Sequence, residues 1–85
     1  MSVADLKAAI ARAERDIDVQ IAEISAYVTQ NKELIQSTTQ FFAESSDPGG
    51  KTINYLMGEA LEKLSNSSKR LQLAKEKLHA YRVRL

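Results

Sequence analysis

The sequence is most informative at first for what it lacks. It has no cysteine, no tryptophan, one proline and three glycines among 85 residues. The missing cysteines exclude a disulfide framework and a Cys-based zinc site. The net charge of +1 gives no overall field that would favour nucleic acid or an acidic substrate. No apolar run approaches the roughly 18 residues of a membrane span, and the polar beginning of the chain is unlike a secretory signal peptide. These features predict one small cytoplasmic domain over residues 1–85.

The first half of the chain has helical periodicity. Its apolar residues recur at steps of three and four, without sustained alternation by two. They are Val3, Leu6, Ile10, Ala13, Ile17, Ile21, Ile24, Val28, Leu34, Ile35, Phe41 and Phe42. Ser2 followed by Asp5 predicts a capped helix start with an acid in the first turn.

The second half has a repeat of seven residues. One line of the repeat holds large side chains: Met57, Leu64, Leu71, Leu78 and Leu85. A second line, with mostly small residues, is predicted at the other seam position: Ile53, Ala60, Ser67, Ala74 and Tyr81. We call the line of contact between the two helices the seam. Small residues there would let the helices approach closely.

The one break in the pattern is "SSDPGGK", residues 45–51. Because proline disfavours a helical conformation in the residue before it, the first helix is predicted over about residues 2–46. A turn at 47–50 and a second helix over about 51–85 follow. In a variant of this interpretation, Asp47 caps the second helix and Pro48 is its first residue. So short a turn predicts an all-α hairpin of two long antiparallel helices.

Folding about Pro48 and Gly49 predicts a register in which paired residue numbers sum to about 97. Leu64 then meets Leu34 and Ile35, Leu71 meets Tyr27 and Val28, and Leu78 meets Gln20 and Ile21. Charge agrees with this antiparallel arrangement. Residues 1–47 carry four Lys or Arg against eight Asp or Glu, whereas residues 48–85 carry eight against three. Acids in residues 14–23 are expected beside bases in residues 74–83.

Polar residues occupy the middle of the predicted seam. Asn31 interrupts the stripe of the first helix, and Asn66, Ser67 and Ser68 interrupt the second. The predicted register brings these groups together. They either fix the register and the number of partners or mark a solvated weak point in a thin hairpin.

A two-helix hairpin cannot cover apolar stripes of this width. At about 1.5 Å per residue, a first helix of this length reaches roughly 65 Å, and residues 1–12 overhang the second helix. We therefore expect a partner chain to complete a four-helix bundle, as a hetero-dimer with a larger helical protein or as a homo-oligomer. The residues expected at the partner interface are Ile10, Ile17, Ile24, Val28, Ile35, Phe42, Met57, Leu61, Leu64, Leu71 and Leu78.

The sequence offers no constellation for catalysis. His79 is the only histidine and has no second ligand at helical spacing, so no metal site, catalytic residue or cofactor is predicted. Residues 69–85 are basic and could contact phosphates or an anionic membrane surface. The matching acids of the first helix favour pairing within the chain instead. The prediction is a non-enzymatic protein that binds other proteins.

Two long helices around a short glycine-containing turn, in fewer than 100 residues, resemble the WxG-motif, ESAT-like family of type VII secretion. They also resemble the small helical partners of LXG-type toxins. The resemblance implies a secreted pair, or a targeting or chaperone factor packed on a larger substrate, exported without a signal peptide. Tyr55 and Glu59 have the spacing of the family's export motif, Tyr-x-x-x-Asp/Glu. The chain departs from the family in having "DPGG" where the family has Trp-x-Gly, and in the position of Tyr55 at the start of the second helix.

Two alternative functions fit the same stripes. Small hairpin chaperones of type III secretion hold needle or filament subunits by packing helices into a groove. A structural, self-associating coiled-coil subunit would use the stripes to bind copies of itself. Amphipathic periodicity alone does not separate these functions.

Overall fold

The chain forms an antiparallel helical hairpin. A computed structural model describes residues 1–44 and 48–85, in which α1 spans Val3–Ala43 and α2 spans Pro48–Arg84. The two helices pack along their length and give a rod whose Cα atoms extend 64 × 16 × 16 Å. Its radius of gyration is 19.1 Å. A compact chain of this length would have one of about 12 Å. The predicted all-α hairpin is therefore confirmed, whereas its completion by a partner chain stays a prediction.

The start of α1 is fixed by the predicted cap. Ser2 has an extended backbone, and its hydroxyl accepts a hydrogen bond from the Asp5 amide at 3.1 Å. The Asp5 carboxylate in turn accepts from the Ser2 amide at 3.3 Å. This reciprocal pair satisfies amides that have no partner inside the helix, and it places a negative charge in the first turn.

The hinge differs from the predicted turn. α1 ends at Ala43, and α2 begins at Pro48, as in the variant that has proline at the first helical position. Gly49 and Gly50 therefore lie inside α2 rather than in the turn. The proposed cap at Asp47 and the predicted end of the first helix near Ser46 lie outside the described residues.

The register also differs from the predicted one. The contacts Thr38–Asn54, Asp18–Lys75 and Phe42–Gly50 join residues whose numbers sum to 92 or 93, not 97. The shift amounts to about one helical turn. It follows from the early start of α2, because Gly50 already lies against Phe42 at the first turn. The overhang of α1 is correspondingly shorter than predicted, since Ile10 is only 7% exposed.

The second seam line of α2 was assigned wrongly. Ile53, Ala60, Ser67, Ala74 and Tyr81 are all exposed. The partly buried line lies one residue further along the chain, at Asn54, Leu61, Ser68, Lys75 and Arg82. The physical reason is that Lys75 and Arg82 form ion pairs with acids of α1 at the seam. A prediction based on apolarity alone selects their apolar neighbours Ala74 and Tyr81 instead.

The predicted polar cluster at the middle of the seam is also wrong. α2 continues as a helix through Asn66, Ser67 and Ser68. Asn31 lies beside Leu61 and Leu64, and its side-chain amide donates to the Tyr27 carbonyl at 2.8 Å. Ser68 lies instead near Ile24 and Val28. Asn31 is thus satisfied within its own helix, and the shifted register places it beside leucines of α2 rather than beside Asn66, Ser67 and Ser68.

Two of the glycines of α2, Gly50 and Gly58, give a matched test of the register. A Cβ on Gly50 would lie 2.7 Å from Phe42 Cγ, whereas a Cβ on Gly58 would have nothing within 4 Å. We expect Gly58→Ala to stabilise the hairpin by about 0.5–1 kcal/mol, because alanine favours the helix. Gly50→Ala should destabilise it by about 1 kcal/mol or more, because the Phe42 ring must move. Thermal unfolding followed by circular dichroism measures both, and equal effects of the two changes would contradict the observed approach of the helices.

Candidate interaction surface

The eleven residues predicted for a partner interface lie along the hairpin's own seam. All of them are buried or partly buried, and only Ile10 and Val28 fall below one-tenth exposure, at 7% and 8%. No large side chain in the described residues is fully buried. Contact between α1 and α2 therefore covers this stripe incompletely. Whether the same residues also contact a partner stays a prediction.

One side of the seam is bordered by apolar residues. A shallow depression there is lined by residues of both helices, including Tyr27, Asn31, Ala60 and Leu64. Residues seven apart continue the same lines along a hairpin whose seam repeats every seven residues. The lines are Leu6, Ala13, Gln20, Tyr27, Leu34 and Phe41 on α1, and Ile53, Ala60, Ser67, Ala74 and Tyr81 on α2. We call these eleven residues the apolar face; only Gln20 and Ser67 among them are polar.

The opposite side of the seam is polar. Val28 is buried in the seam, so Tyr27 and Thr29, one residue before and one after, point to opposite sides of the hairpin. The depression on the Thr29 side is lined by polar groups on its rim, among them Ser25, Lys32, Ser65 and Lys69. The hairpin is therefore two-sided, and one broad side is apolar.

The apolar face is well exposed. Phe41 is 72% exposed, and Tyr27, Leu34, Ile53 and Tyr81 are each close to half exposed. Phe41 and Phe42 pack edge to face with ring centroids 5.4 Å apart, which links the face to the seam at the hinge end. An apolar band that runs along a whole rod is typical of a surface that another chain covers.

The outer borders of the apolar face carry opposite charges. Next to the face on α2 lies a line of four basic residues, Lys63, Arg70, Lys77 and Arg84, which we call the basic edge. Next to it on α1 lie Asp16 and Glu23, the acidic edge. All six side chains are exposed. The basic stretch at residues 69–85 is thus divided, since Lys75 and Arg82 pair with α1 while Arg70, Lys77 and Arg84 form no ion pair within residues 1–44 and 48–85.

Near the open end of the hairpin, Glu14 is held in the seam by two residues of α2. Its side chain is 8% exposed. Arg82 Nε donates to one carboxylate oxygen at 2.7 Å, and His79 Nδ1 lies 3.1 Å from the other. Arg82 Nη2 also lies 3.0 Å from the same Nδ1, so that nitrogen either donates to Glu14 or accepts from Arg82. With Asp18–Lys75 at 2.6 Å, this cluster confirms the predicted pairing of acids in residues 14–23 with bases in residues 74–83.

The hydrogen bond from Arg82 holds the pKa of Glu14 below its ordinary value of 4.5, against the opposing effect of desolvation. Sequence reasoning placed Glu14 among the acids of α1 but did not find it in the seam. The seven-residue repeat could have placed Glu14 in the seam, because it precedes the seam residues Ile21, Val28 and Ile35 by whole multiples of seven. A carboxylate that replaces an apolar residue at such a position needs a partner on the facing helix.

The proposed export motif lies on the outer surface of α2. Tyr55 is 71% exposed, and Glu59, one turn further, pairs with Lys63 at 3.0 Å. Both residues are accessible along one helix face, and their role in export stays a prediction. His79 lies in the Glu14 cluster, and the described residues contain no group of three or more His, Cys, Asp or Glu that could hold a metal ion.

Comparison with known proteins adds no relative. No protein-family model, curated protein or solved structure matches the chain. The resemblance to the WxG-motif and LXG-associated proteins therefore stays a prediction. Within the described residues, neither helix is long and apolar enough to cross a membrane.

Proposed function

We propose that the chain is a non-enzymatic interaction protein whose hairpin completes a four-helix bundle with a second helical pair. The observation that carries this proposal is the continuous apolar face on one side of the rod, opposite a polar one. The titratable cluster of Glu14, His79 and Arg82 has a structural use, because its groups join α1 to α2.

The surface area of the hairpin supports a missing partner. Its accessible surface is 6480 Å². A compact protein of this mass would expose about 5,000 Å². The excess is of the size that one partner loses in a stable interface, which is about 800 Å² or more. A second helical pair laid on the apolar face would remove an area of this order.

Among interaction roles, we propose that of a small secretion-system partner, a targeting or chaperone factor that packs on the helical domain of a larger protein. The hairpin architecture, the small size and the exposed Tyr55 support this role. Such a factor acts in the cytoplasm before export by a route that needs no signal peptide. A second candidate, a self-associating structural subunit, is favoured by the opposite charges on the two edges of the apolar face.

Leu34→Glu tests the proposed interaction. The change places a charge at the middle of the apolar face, where a buried, unpaired carboxylate is costly. We expect a tagged Leu34→Glu chain, expressed in the cells from which the gene comes, to lose the helical partner that wild type retains after affinity purification. That partner is either a different protein or an untagged copy of the chain.

Ser25→Glu is the matched control, because Ser25 lies on the polar face of the same helix and is exposed. It should retain the partner. Equal recovery from both variants, with helicity unchanged in both, would show that the apolar face does not bind, and the proposed function would fall.

A further inference from the structure

Four residues of the two charged edges have no ion-pair partner among the residues that the structure describes, whereas Lys63 of the basic edge pairs with Glu59. Asp16, Glu23, Arg70 and Lys77 are exposed, and none of them forms an ion pair within residues 1–44 and 48–85. The acidic edge lies on the outer flank of α1 and the basic edge on the outer flank of α2. The width of the apolar face separates them, so they cannot meet within the chain.

The charged residues of the two edges nevertheless lie at matching positions along the long axis of the rod, which we call their heights. Asp18 pairs with Lys75, and Glu14 with His79, at residue numbers that sum to 93. Asp16 and Lys77 have the same sum, as do Glu23 and Arg70. Each acid of the acidic edge therefore lies at the level of a base of the basic edge.

We propose that a second copy of this chain covers the apolar face, with the two hairpins parallel and related by a two-fold axis along the rod. This inference rests on the proposed four-helix bundle and favours the second candidate, the self-associating subunit, over packing on a larger protein. The axis places α1 of one chain opposite α2 of its copy without changing the height of any residue. Asp16 then faces Lys77 of the copy, and Glu23 faces Arg70 of the copy. The two-fold axis repeats both pairs, so four complementary pairs border one interface.

The other way to bring two apolar faces together is opposed by charge. An axis across the rod would pair α2 with α2 in opposite directions. The basic edge would then lie along the basic edge of the copy, and the acidic edge along the acidic edge. Like charges placed side by side disfavour that arrangement.

Side-chain size on the apolar face agrees with the parallel arrangement. At matched heights Leu34 faces Ala60 of the copy, Tyr27 faces Ser67, and Ala13 faces Tyr81. At these three levels a large residue meets a small one, as efficient packing between helices requires. Nearer the hinge, Phe41 faces Ile53 of the copy, and there two large residues meet. This pattern gives the small residues Ala60 and Ser67 a use although they lie outside the seam.

Charge reversal tests the proposal. Wild type should have about 19 kDa in solution, twice the 9.5 kDa of one chain. Variant A, Asp16→Lys with Glu23→Lys, and variant B, Arg70→Glu with Lys77→Glu, should each weaken the dimer about tenfold or more, because like charges then line the interface. An equimolar mixture of A and B should restore the dimer, since all four pairs become complementary. Sedimentation equilibrium measures these masses, and the restoration shows that both variants fold.

Crosslinking tests the orientation. The chain has no cysteine, so single cysteines can be placed at will. Gln30 lies seven residues after Glu23 and continues the line of the acidic edge, at the level of Lys63. Gln30→Cys and Lys63→Cys should therefore be joined by a short bis-maleimide when the two variants are mixed. Lys63→Cys mixed with Lys77→Cys should give no crosslinked pair, because these positions approach each other only in the antiparallel arrangement.

The outcomes separate this proposal from the proposed function. A wild-type mass of one chain up to about 100 µM would overturn the self-pairing. So would equal masses for wild type, A and B, or crosslinking only between positions 63 and 77. If Leu34→Glu still loses a different protein that Ser25→Glu retains, the proposed function stands with another partner. If that difference is also absent, both fall.

Discussion

Leu71→Asp should unfold much of the hairpin. Leu71 is a partly buried seam residue near the middle of α2. An aspartate there loses the apolar contacts of leucine and introduces a carboxylate that faces α1 without a cationic partner. We expect a loss of roughly 3 kcal/mol. This is a large part of the few kcal/mol that stabilise a chain of this size. Chemical denaturation followed by circular dichroism measures it.

Leu73→Asp provides a close control. Leu73 lies two residues away in the same helix, with the same side chain, but is 53% exposed. The substitution introduces the same charge and the same change in helix propensity. The difference in unfolding free energy between the two variants therefore measures the effect of the seam position alone. We expect Leu73→Asp to change stability by no more than about 0.5 kcal/mol. Equal losses would mean that α2 presents a different face to α1.

Arg82→Leu should destabilise the open end of the hairpin in a pH-dependent way. The substitution removes the guanidinium that donates to Glu14 at 2.7 Å and leaves a carboxylate that is 8% exposed in the seam. Removing one partner of such a pair costs more than removing both, because the remaining charge is desolvated without compensation. Arg82→Leu should therefore be more destabilising at neutral pH than Arg82→Leu combined with Glu14→Gln.

The sign of the pH effect follows from the pKa of Glu14. Arg82 holds that pKa below its ordinary value of 4.5 in the folded chain. The stabilisation by Arg82 is therefore fully present above pH 4.5 and is lost as the pH falls through the folded pKa. Melting temperatures of wild type and Arg82→Leu should converge in acid. A gap that stays constant from neutral to acid pH would show that Arg82 stabilises only through its aliphatic stem.

Periodicity predicted the hairpin, because two long amphipathic segments around one proline have few other ways to bury their stripes. It also selected Leu64, Leu71 and Leu78 correctly as seam residues. It failed at the second seam line, where apolarity favoured Ala74 and Tyr81 over their neighbours Lys75 and Arg82. The long stems of Lys75 and Arg82 lie in the seam while their charges reach Asp18 and Glu14, and hydropathy does not register such pairing.

The register was wrong by about one turn for a local reason. A change in the length of the turn shifts every contact between the two helices along the rod. The predicted turn contained Gly49 and Gly50, which instead lie in the first turn of α2. The apolar face could have been found from the sequence, since Tyr27, Leu34 and Phe41 recur every seven residues. Its separation from the seam required the register, which only the contacts of Gly50 and Thr38 established.

The hairpin topology also determines the order in which contacts can form. Thr38 and Asn54 are 16 residues apart along the chain, whereas Glu14 and Arg82 are 68 apart. The entropy lost on closing a loop grows with its length, so contacts close to the hinge form first and shorten every later closure. Folding should therefore proceed as a zipper from Gly50 toward the termini. In hydrogen exchange, amides around the Glu14 cluster should open before amides in the middle of the rod.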